Sequence, residues 1–407
     1  MNILLINHYA GSPDYGMEFR PYYMCKEWVR RGHKALIIGG SYSHLRKLQP
    51  TQDAETIDGV NYRWVKLNTY KGNGLGRIVS MGLFISKLGV SYNKYLDDFL
   101  PDVVIASSTY PLDIYPAKRI AKHYGAKLIY EVHDLWPLSP IELGGYSPKH
   151  PFIQVMQKAE NDCYKYVDAV VSMLPKAEEH MKEHGLAEGK FYCVPNGIVL
   201  SDWVNPMDLP KEHNDYLQKL KSQGKTIVGF AGAHGIANSL YSLIDAVARL
   251  KDKNIDLVLV GTGPEKDNLQ NYVINNSFVN IHFLPPVNKL AVPSLLKEMD
   301  ILYIGLQKQS LFRFGISPNK LFDYMMAGKP VVQAIDAGNN IVKEADCGLC
   351  AEPDNIDDIA GAISRLNDLS PSEREQLGKN GKSFVLKHHS YGVLAEEFLK
   401  VMEKLKS

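Results

Sequence analysis

The sequence predicts an α/β protein built as two tandem, doubly wound parallel-sheet domains. Three observations carry this. Short apolar runs alternate with segments of helical period, as in parallel sheets covered on both faces. The alternation breaks once, over 195–225, and then restarts. The chain has 407 residues, two to three times the ~150 residues of a common domain.

In the first half, strands are predicted at 3–7, 35–39, 60–67, 103–106, 127–132, 169–172 and 191–194. Helices are predicted between them at 18–31, 78–99, 113–124, 152–166 and 176–184. The stretch 195–225 carries Pro195-Asn196-Gly197, further prolines and many charges, and reads as the connection between domains. The second half has strands at 226–231, 257–260, 280–284, 301–305, 330–333 and 348–351. Its helices fall at 240–250, 265–273, 291–298, 319–327, 339–344 and 356–366, with two final helices at 372–387 and 394–406. The resulting domains are 1–197 and 198–385, with 386–407 expected to pack back on the first. Open α/β sheets bind ligands beyond the carboxyl ends of their strands, so the site is expected in an interdomain cleft.

Hydrophobic residues make up 45% and charged residues 22% of an ordinary globular composition, which excludes disordered and collagen-like classes. A formal charge of +1, from 46 basic and 45 acidic side chains, gives no general attraction to nucleic acid. Five scattered cysteines suit reduced thiols in the cytoplasm, and Cys347-Gly-Leu-Cys350 reads as two small strand residues. The opening residues enter a strand pattern at once, and no run of ~18 apolar residues follows. The chain reads as neither secreted nor membrane-spanning.

Several strand-end loops carry chemistry-bearing residues. The first includes His8, Tyr9 and Gly16 before a helix, but has neither G-x-G-x-x-G nor the acidic residue ~20 positions on, so NAD binding is not expected. The strand 127–132 ends in Glu131, His133 and Asp134, a polar cluster where such sheets meet ligands. Gly232-Ala233-His234 and Gly261-Thr262-Gly263 close two strands of the second domain, and small residues there permit close backbone approach. The most informative run is Arg313-Phe-Gly-Ile-Ser317-Pro318-Asn319-Lys320-Leu-Phe-Asp323. Ser317 is expected as N-cap with Pro318 at the first helical position. Lys320 and Asp323 then share a helix face. An ammonium beside a helix N-terminus suits a diphosphate, and a carboxylate one turn on suits ribose hydroxyls. Together they point to a nucleoside diphosphate.

These segments, with Val194-Pro195-Asn196-Gly197-Ile198 and SPNKLFDYMMAGKPV, resemble the family 4 retaining glycosyltransferases of GT-B fold, two Rossmann-like domains. YEVHDLWPLSP and SPNKLFDYMMAGKPVV are most similar to the bacterial N-acetylaminosugar, fucosamine-transferase-like subgroup. The resemblance implies a nucleotide-ribose role for Asp323, at the second acid of an E-x7-E pair whose first position here is Gly315. It implies a sugar-contacting role for His133. It also implies a basic pair on the diphosphate near 232–238, where no base stands, so Lys320, Arg313 and the 232–235 backbone would carry that charge.

The expected function is transfer of a sugar, an N-acetylaminosugar, from a UDP-sugar to a glycan or polyprenyl-diphosphate-linked acceptor with retention, in bacterial surface polysaccharide or lipopolysaccharide synthesis. His133, Lys320 and Asp323 are the expected catalytic residues. Donor contacts are expected from Gly232, Ala233, His234, Gly261, Gly263, Arg313, Ser317, Pro318 and Asn319. Acceptor or sugar contacts are expected from His8, Tyr9, Gly16, Glu131 and Asp134. No cofactor or metal is expected, the UDP-sugar being a substrate, because no D-x-D triplet occurs. Two alternatives remain: an isomerase like UDP-N-acetylglucosamine 2-epimerase using Glu131, Asp134 and Glu142, and a non-catalytic GT-B partner protein. The apolar stretch 75–90, with Leu83 and Phe84 leading and Lys118, Arg119, Lys122 and Lys127 nearby, suggests peripheral contact with the inner face of the cytoplasmic membrane.

Overall fold

The structure is a computed structural model and describes residues 1–72 and 74–407. Its contacts divide the chain into two compact units. One comprises Met1–Asn196, Phe314–Ser317 and Tyr391–Ser407; the other comprises Gly197–Arg313 and Pro318–Ser390.

Among the described residues, the first unit holds eight strands: β1 (Asn2–Ile6), β2 (Lys34–Gly40), β3 (Ala54–Ile57), β4 (Val60–Val65), β5 (Val103–Ala106), β6 (Lys127–Val132), β7 (Ala169–Ser172) and β8 (Phe191–Cys193). Their order is β3-β4-β2-β1-β5-β6-β7-β8. All neighbours are parallel except the β3–β4 hairpin. That hairpin was not expected from the sequence. It turns on Asp58-Gly59, both at positive φ (49° and 81°), the two-residue connection that Asp-Gly favours. Every residue of β5 and β7 is buried, as near-continuous apolar runs require in a sheet covered on both faces.

Helix Leu75–Leu96 lays Met81, Phe84, Leu88, Tyr92 and Leu96 into the core. Phe84 is fully buried and stacks on His8 with centroids 4.7 Å apart, so it cannot lead a membrane contact. The 3.6-residue period turns Leu75, Val79 and Val90 to solvent instead. Among the described residues, no helix is long and apolar enough to cross a membrane. The final helix, Tyr391–Lys406, packs on helix Arg20–Arg30. Trp28 Nε1 donates to Ala395 O at 3.1 Å, its ring meets Phe398 edge-on, and Arg31 donates to Gly392 O.

The second unit is a six-stranded all-parallel sheet of β9 (Thr226–Ala231), β10 (Ile255–Val260), β11 (Ile281–Leu284), β12 (Ile301–Gly305), β13 (Val331–Ala334) and β14 (Gly348–Cys350). Its order is β11-β10-β9-β12-β13-β14, so the winding reverses beside β9. The expected connection 195–225 is not plain linker: it folds as helices Ser201–Val204 and Lys211–Ser222, the second burying His213, Leu217 and Leu220. Cys347 is buried before β14, while Cys350 is exposed beside Asn340; both are free thiols.

Candidate active site

In the second unit, the loops after β9 and β10 interlock. Gly232 N donates to Val260 O (3.0 Å), His234 N to Thr262 O (2.9 Å) and Glu265 N to His234 O (2.9 Å). A β-carbon on Gly261 would lie 1.9 Å from Gly232 O, and Gly261 sits at φ +149°, so only glycine allows this approach. Gly232, also at φ +149°, leaves the space into which the Lys320 chain runs: a β-carbon there would meet Lys320 Cε at 2.9 Å.

Helix Asn319–Met326 lies over these loops. Tyr324, fully buried, receives Ala231 N at 2.9 Å on its hydroxyl oxygen and donates to Ala231 O at 3.2 Å, which fixes the helix to the end of β9. The expected cap is corrected. Pro318 is itself the N-cap, and Ser317 belongs to the first unit, where its hydroxyl accepts from Asn196 N at 2.8 Å. Asn196 Nδ2 also donates to Ser317 O, and this competing bond removes Ser317 from the helix start.

A cavity of about 470 Å³ opens at the strand ends, lined by Gly232, Ala233, Gly261 and Thr262 on one side and Lys320, Asp323 and Tyr324 on another. Pro286, Val287, Val292 and Leu295 supply an apolar wall. Its size is that of a small-molecule site. Lys320 Nζ donates to Asn238 Oδ1 at 3.1 Å and stands 4.0 Å from the Phe230 ring centroid. Burial lowers its pKa to about 8, so the ammonium is underpaired and gains from an incoming anion. Burial raises Asp323 to about 7, opposed by Lys289 and by a hydrogen bond from the Trp203 side chain. Lys266, which the sequence reading missed, donates to Gly261 O at 2.9 Å. Burial, with Lys266 and Lys320 on either side, lowers His234 to about 4, so this buried imidazole is neutral. Lys266 thus stands behind the second glycine loop, outside the lining of the cavity.

The remaining expected donor contacts lie off this cavity. Gly263 packs on the His234 backbone, exposed Arg313 donates to Ser310 O at 2.7 Å, and Asn319 is exposed at the helix start.

In the first unit, β6 delivers Glu131 and the residues after it to a second polar centre. Arg20 Nε donates to Glu131 Oε1 at 2.9 Å, and its other nitrogens reach Pro195 O (2.6 Å) and Val194 O (2.8 Å). Ser107 Oγ donates to Glu131 Oε2 at 2.6 Å and stands 2.9 Å from His133 Nε2. Burial would raise Glu131, but Arg20, His133 and Ser107 bring it down to about 2. His133 Nδ1 lies 3.8 Å from Glu18. Burial lowers the His133 pKa, but its bond to Glu131 and the Glu18 charge outweigh that and raise it. Glu18, Arg20 and Ser107 went unnoticed in the sequence; Glu18 and Arg20 follow directly on the Gly16 loop.

Asp134 Oδ1 accepts from Ser139 Oγ (2.6 Å) and Leu135 N (3.0 Å), just before helix Leu138–Glu142. His8 and Tyr9 are fully buried. His8 Nδ1 is 2.7 Å from Tyr110 Oη, its Nε2 is 3.4 Å from Ser80 Oγ, and burial with nearby Arg46, Arg77 and His44 lowers it to about 3. Tyr9 Oη accepts from Arg77 Nε at 3.1 Å. Both have the contacts of packed core residues. Gly16 closes the Ser12–Gly16 bridge.

The chain matches two family descriptions in tandem: "Glycosyl transferase 4-like domain" over residues 15–197 and "Glycosyl transferases group 1" over residues 225–368. It is 22% identical over 257 residues to the glycosyl transferase WcaI of Escherichia coli (strain K12), a match spanning 60% of this chain and 61% of WcaI. The chain thus covers about three fifths of that relative. Among solved structures, sucrose-phosphate synthase from Thermosynechococcus elongatus superposes with a TM-score of 0.72 at 14% identity, over 100% of this chain and 99% of the other. Anabaena HepE in complex with UDP-glucose superposes with a TM-score of 0.64 at 15% identity, over 100% and 99%. At such identities the likeness shows the GT-B fold.

Proposed function

The chain belongs to the family 4-type glycosyltransferases, and from that premise we propose that it transfers a sugar from a UDP-sugar to a glycan or lipid-linked acceptor, with retention. The observation that carries this reading is the placement of Lys320 and Asp323, one turn apart on one helix, in the same cavity as the two glycine loops. HepE was solved with UDP-glucose bound, which supports the uridine nucleotide as the donor.

The chemistry follows from the groups present. The leaving diphosphate carries the developing charge, and Lys320, with Lys266 behind the Gly261 loop, neutralises it while the helix N-terminus adds its dipole. Asp323, ionised, accepts from the ribose hydroxyls. The apolar wall at Pro286–Val287 takes the flat face of the base. In the first unit, His133, held by Ser107 and Glu131, is the group for the transferred sugar. An N-acetylaminosugar donor and a role in surface polysaccharide synthesis are further parts of the proposal, supported by the YEVHDLWPLSP resemblance and by WcaI, which is named for colanic acid biosynthesis.

The isomerase reading, which would use Glu131, Asp134 and Glu142, loses support at Glu131, whose two oxygens are taken by Arg20 and Ser107. Thermal-shift screening against nucleotides and nucleotide-sugars tests the donor, since a ligand of the native state raises stability by mass action. UDP and UDP-sugars should raise Tm above ADP and GDP sugars. Conversion of UDP-GlcNAc into another UDP-sugar without acceptor would show an isomerase instead.

A further inference from the structure

We propose that Glu160, His180 and His184 form a binding site for one divalent transition-metal ion of the imidazole-preferring class, Zn2+ being its commonest member. The site lies in the first unit, and the proposed sugar transfer makes no use of it. Glu160 comes from helix Pro151–Tyr166, His180 from helix Glu178–Glu183, and His184 caps the latter. One ligand atom from each lies within 4.8 Å of the others.

Two histidines at i and i+4 present their rings on one helix face, and a carboxylate from a neighbouring helix closes the set. Donors bound at about 2.0–2.2 Å to a tetrahedral ion stand roughly 3.4 Å apart, so shifts of about 1 Å at the ring ends complete the geometry. His180 Nε2 is already 3.3 Å from Glu160 Oε1, and the two imidazoles meet edge to face with centroids 4.4 Å apart.

The surroundings are those of a supported ligand. The Glu160 side chain is 1% exposed. Tyr164 Oη donates to its Oε1 at 3.0 Å and Gln157 Nε2 to its Oε2 at 2.7 Å, an outer shell that fixes the carboxylate. Gln157 Nε2 also stands 3.5 Å from His184 Nδ1. Two imidazoles and one carboxylate leave a fourth position for water. The role is a clip holding the short helix after β7 to helix Pro151–Tyr166. Phe314, which belongs to this unit, packs on His180 at 5.2 Å and would be steadied with it.

The test uses the full chain, stripped with a chelator and titrated with Zn2+ by calorimetry and with Co2+ by visible absorption. One ion per chain is expected, with the intense bands of four- or five-coordinate Co2+ and a rise in Tm. His184→Ala and Glu160→Gln should weaken Zn2+ binding by at least the roughly 10- to 100-fold that loss of an outer-shell partner alone costs. His388→Ala, at an exposed histidine of the other unit, should change nothing. Absence of saturable Zn2+ uptake, only weak octahedral Co2+ bands, or uptake unchanged in His184→Ala would overturn the proposal and leave an ion pair between Glu160 and His180. Should His184→Ala fail to fold, the Co2+ spectrum of the parent decides by itself.

Discussion

Arg20 and Glu131 form an ion pair of 2.9 Å in which the two side chains are 3% and 1% exposed. Such a pair is sustained only because every arm is used: Arg20 also holds Val194 O and Pro195 O, and Glu131 also holds Ser107. Removing one member leaves the other charge buried and alone. Arg20→Ala should therefore destabilise the protein by about 3–5 kcal/mol in urea unfolding. The Glu131 pKa is depressed below its ordinary value, so its contribution is full above about pH 4.5 and fades as pH falls toward 2.

The proposed donor cavity should show a bell-shaped affinity for UDP-glucose, whose doubly esterified diphosphate does not itself titrate near neutrality. In the proposed site an ionised Asp323 is the stronger acceptor for ribose hydroxyls, so affinity should fall below about pH 7. Lys320 meets the diphosphate only when charged, so affinity should fall again above about pH 8. Calorimetry across pH checks both limbs: Asp323→Asn should lose the acid limb and Lys320→Met the alkaline one.

Gly261→Ala tests the interlocked loops. The new methyl group would overlap Gly232 O, and φ +149° is strained for any other residue by about 1–3 kcal/mol. The loops must part, and UDP binding should be lost while far-ultraviolet circular dichroism stays unchanged.

His133→Ala should leave UDP affinity near that of the parent and lower turnover by about 100-fold, as loss of one positioned donor does. Melting curves beside the kinetics separate this from a packing defect, which would lower Tm and activity together.

The strand-helix rhythm was legible in the sequence because, apart from the β3–β4 hairpin, both sheets are parallel and buried, so most strands are short apolar runs. What escaped were elements with a weaker local signature. The β3–β4 hairpin lies at the edge of its sheet, where alternation is diluted, and only Asp58-Gly59 marks it. The helices within 201–222 are polar and proline-flanked. In the second unit's cavity, the pairing of Lys320 and Asp323 was readable because one helical turn links them. Lys266 was not, because its place depends on two loops meeting across β9 and β10. His8 and Tyr9 looked like ligands because a polar loop after a strand resembles a site whether it binds substrate or packs inward. Only the Tyr110, Ser80 and Arg77 partners decide that, and they lie 68 or more residues away in sequence.

The central claim is that the Lys320–Asp323 helix grips a uridine diphosphate. Titration calorimetry of UDP into the full chain tests it directly. The parent should bind one UDP per chain, and Lys320→Ala should weaken that binding by about 1.5–3 kcal/mol, the value of a charge-assisted hydrogen bond. Asp323→Asn should weaken it by a smaller amount through the ribose. If both variants bound UDP as tightly as the parent, the nucleotide would not sit in this cavity, and the functional reading would fall with it.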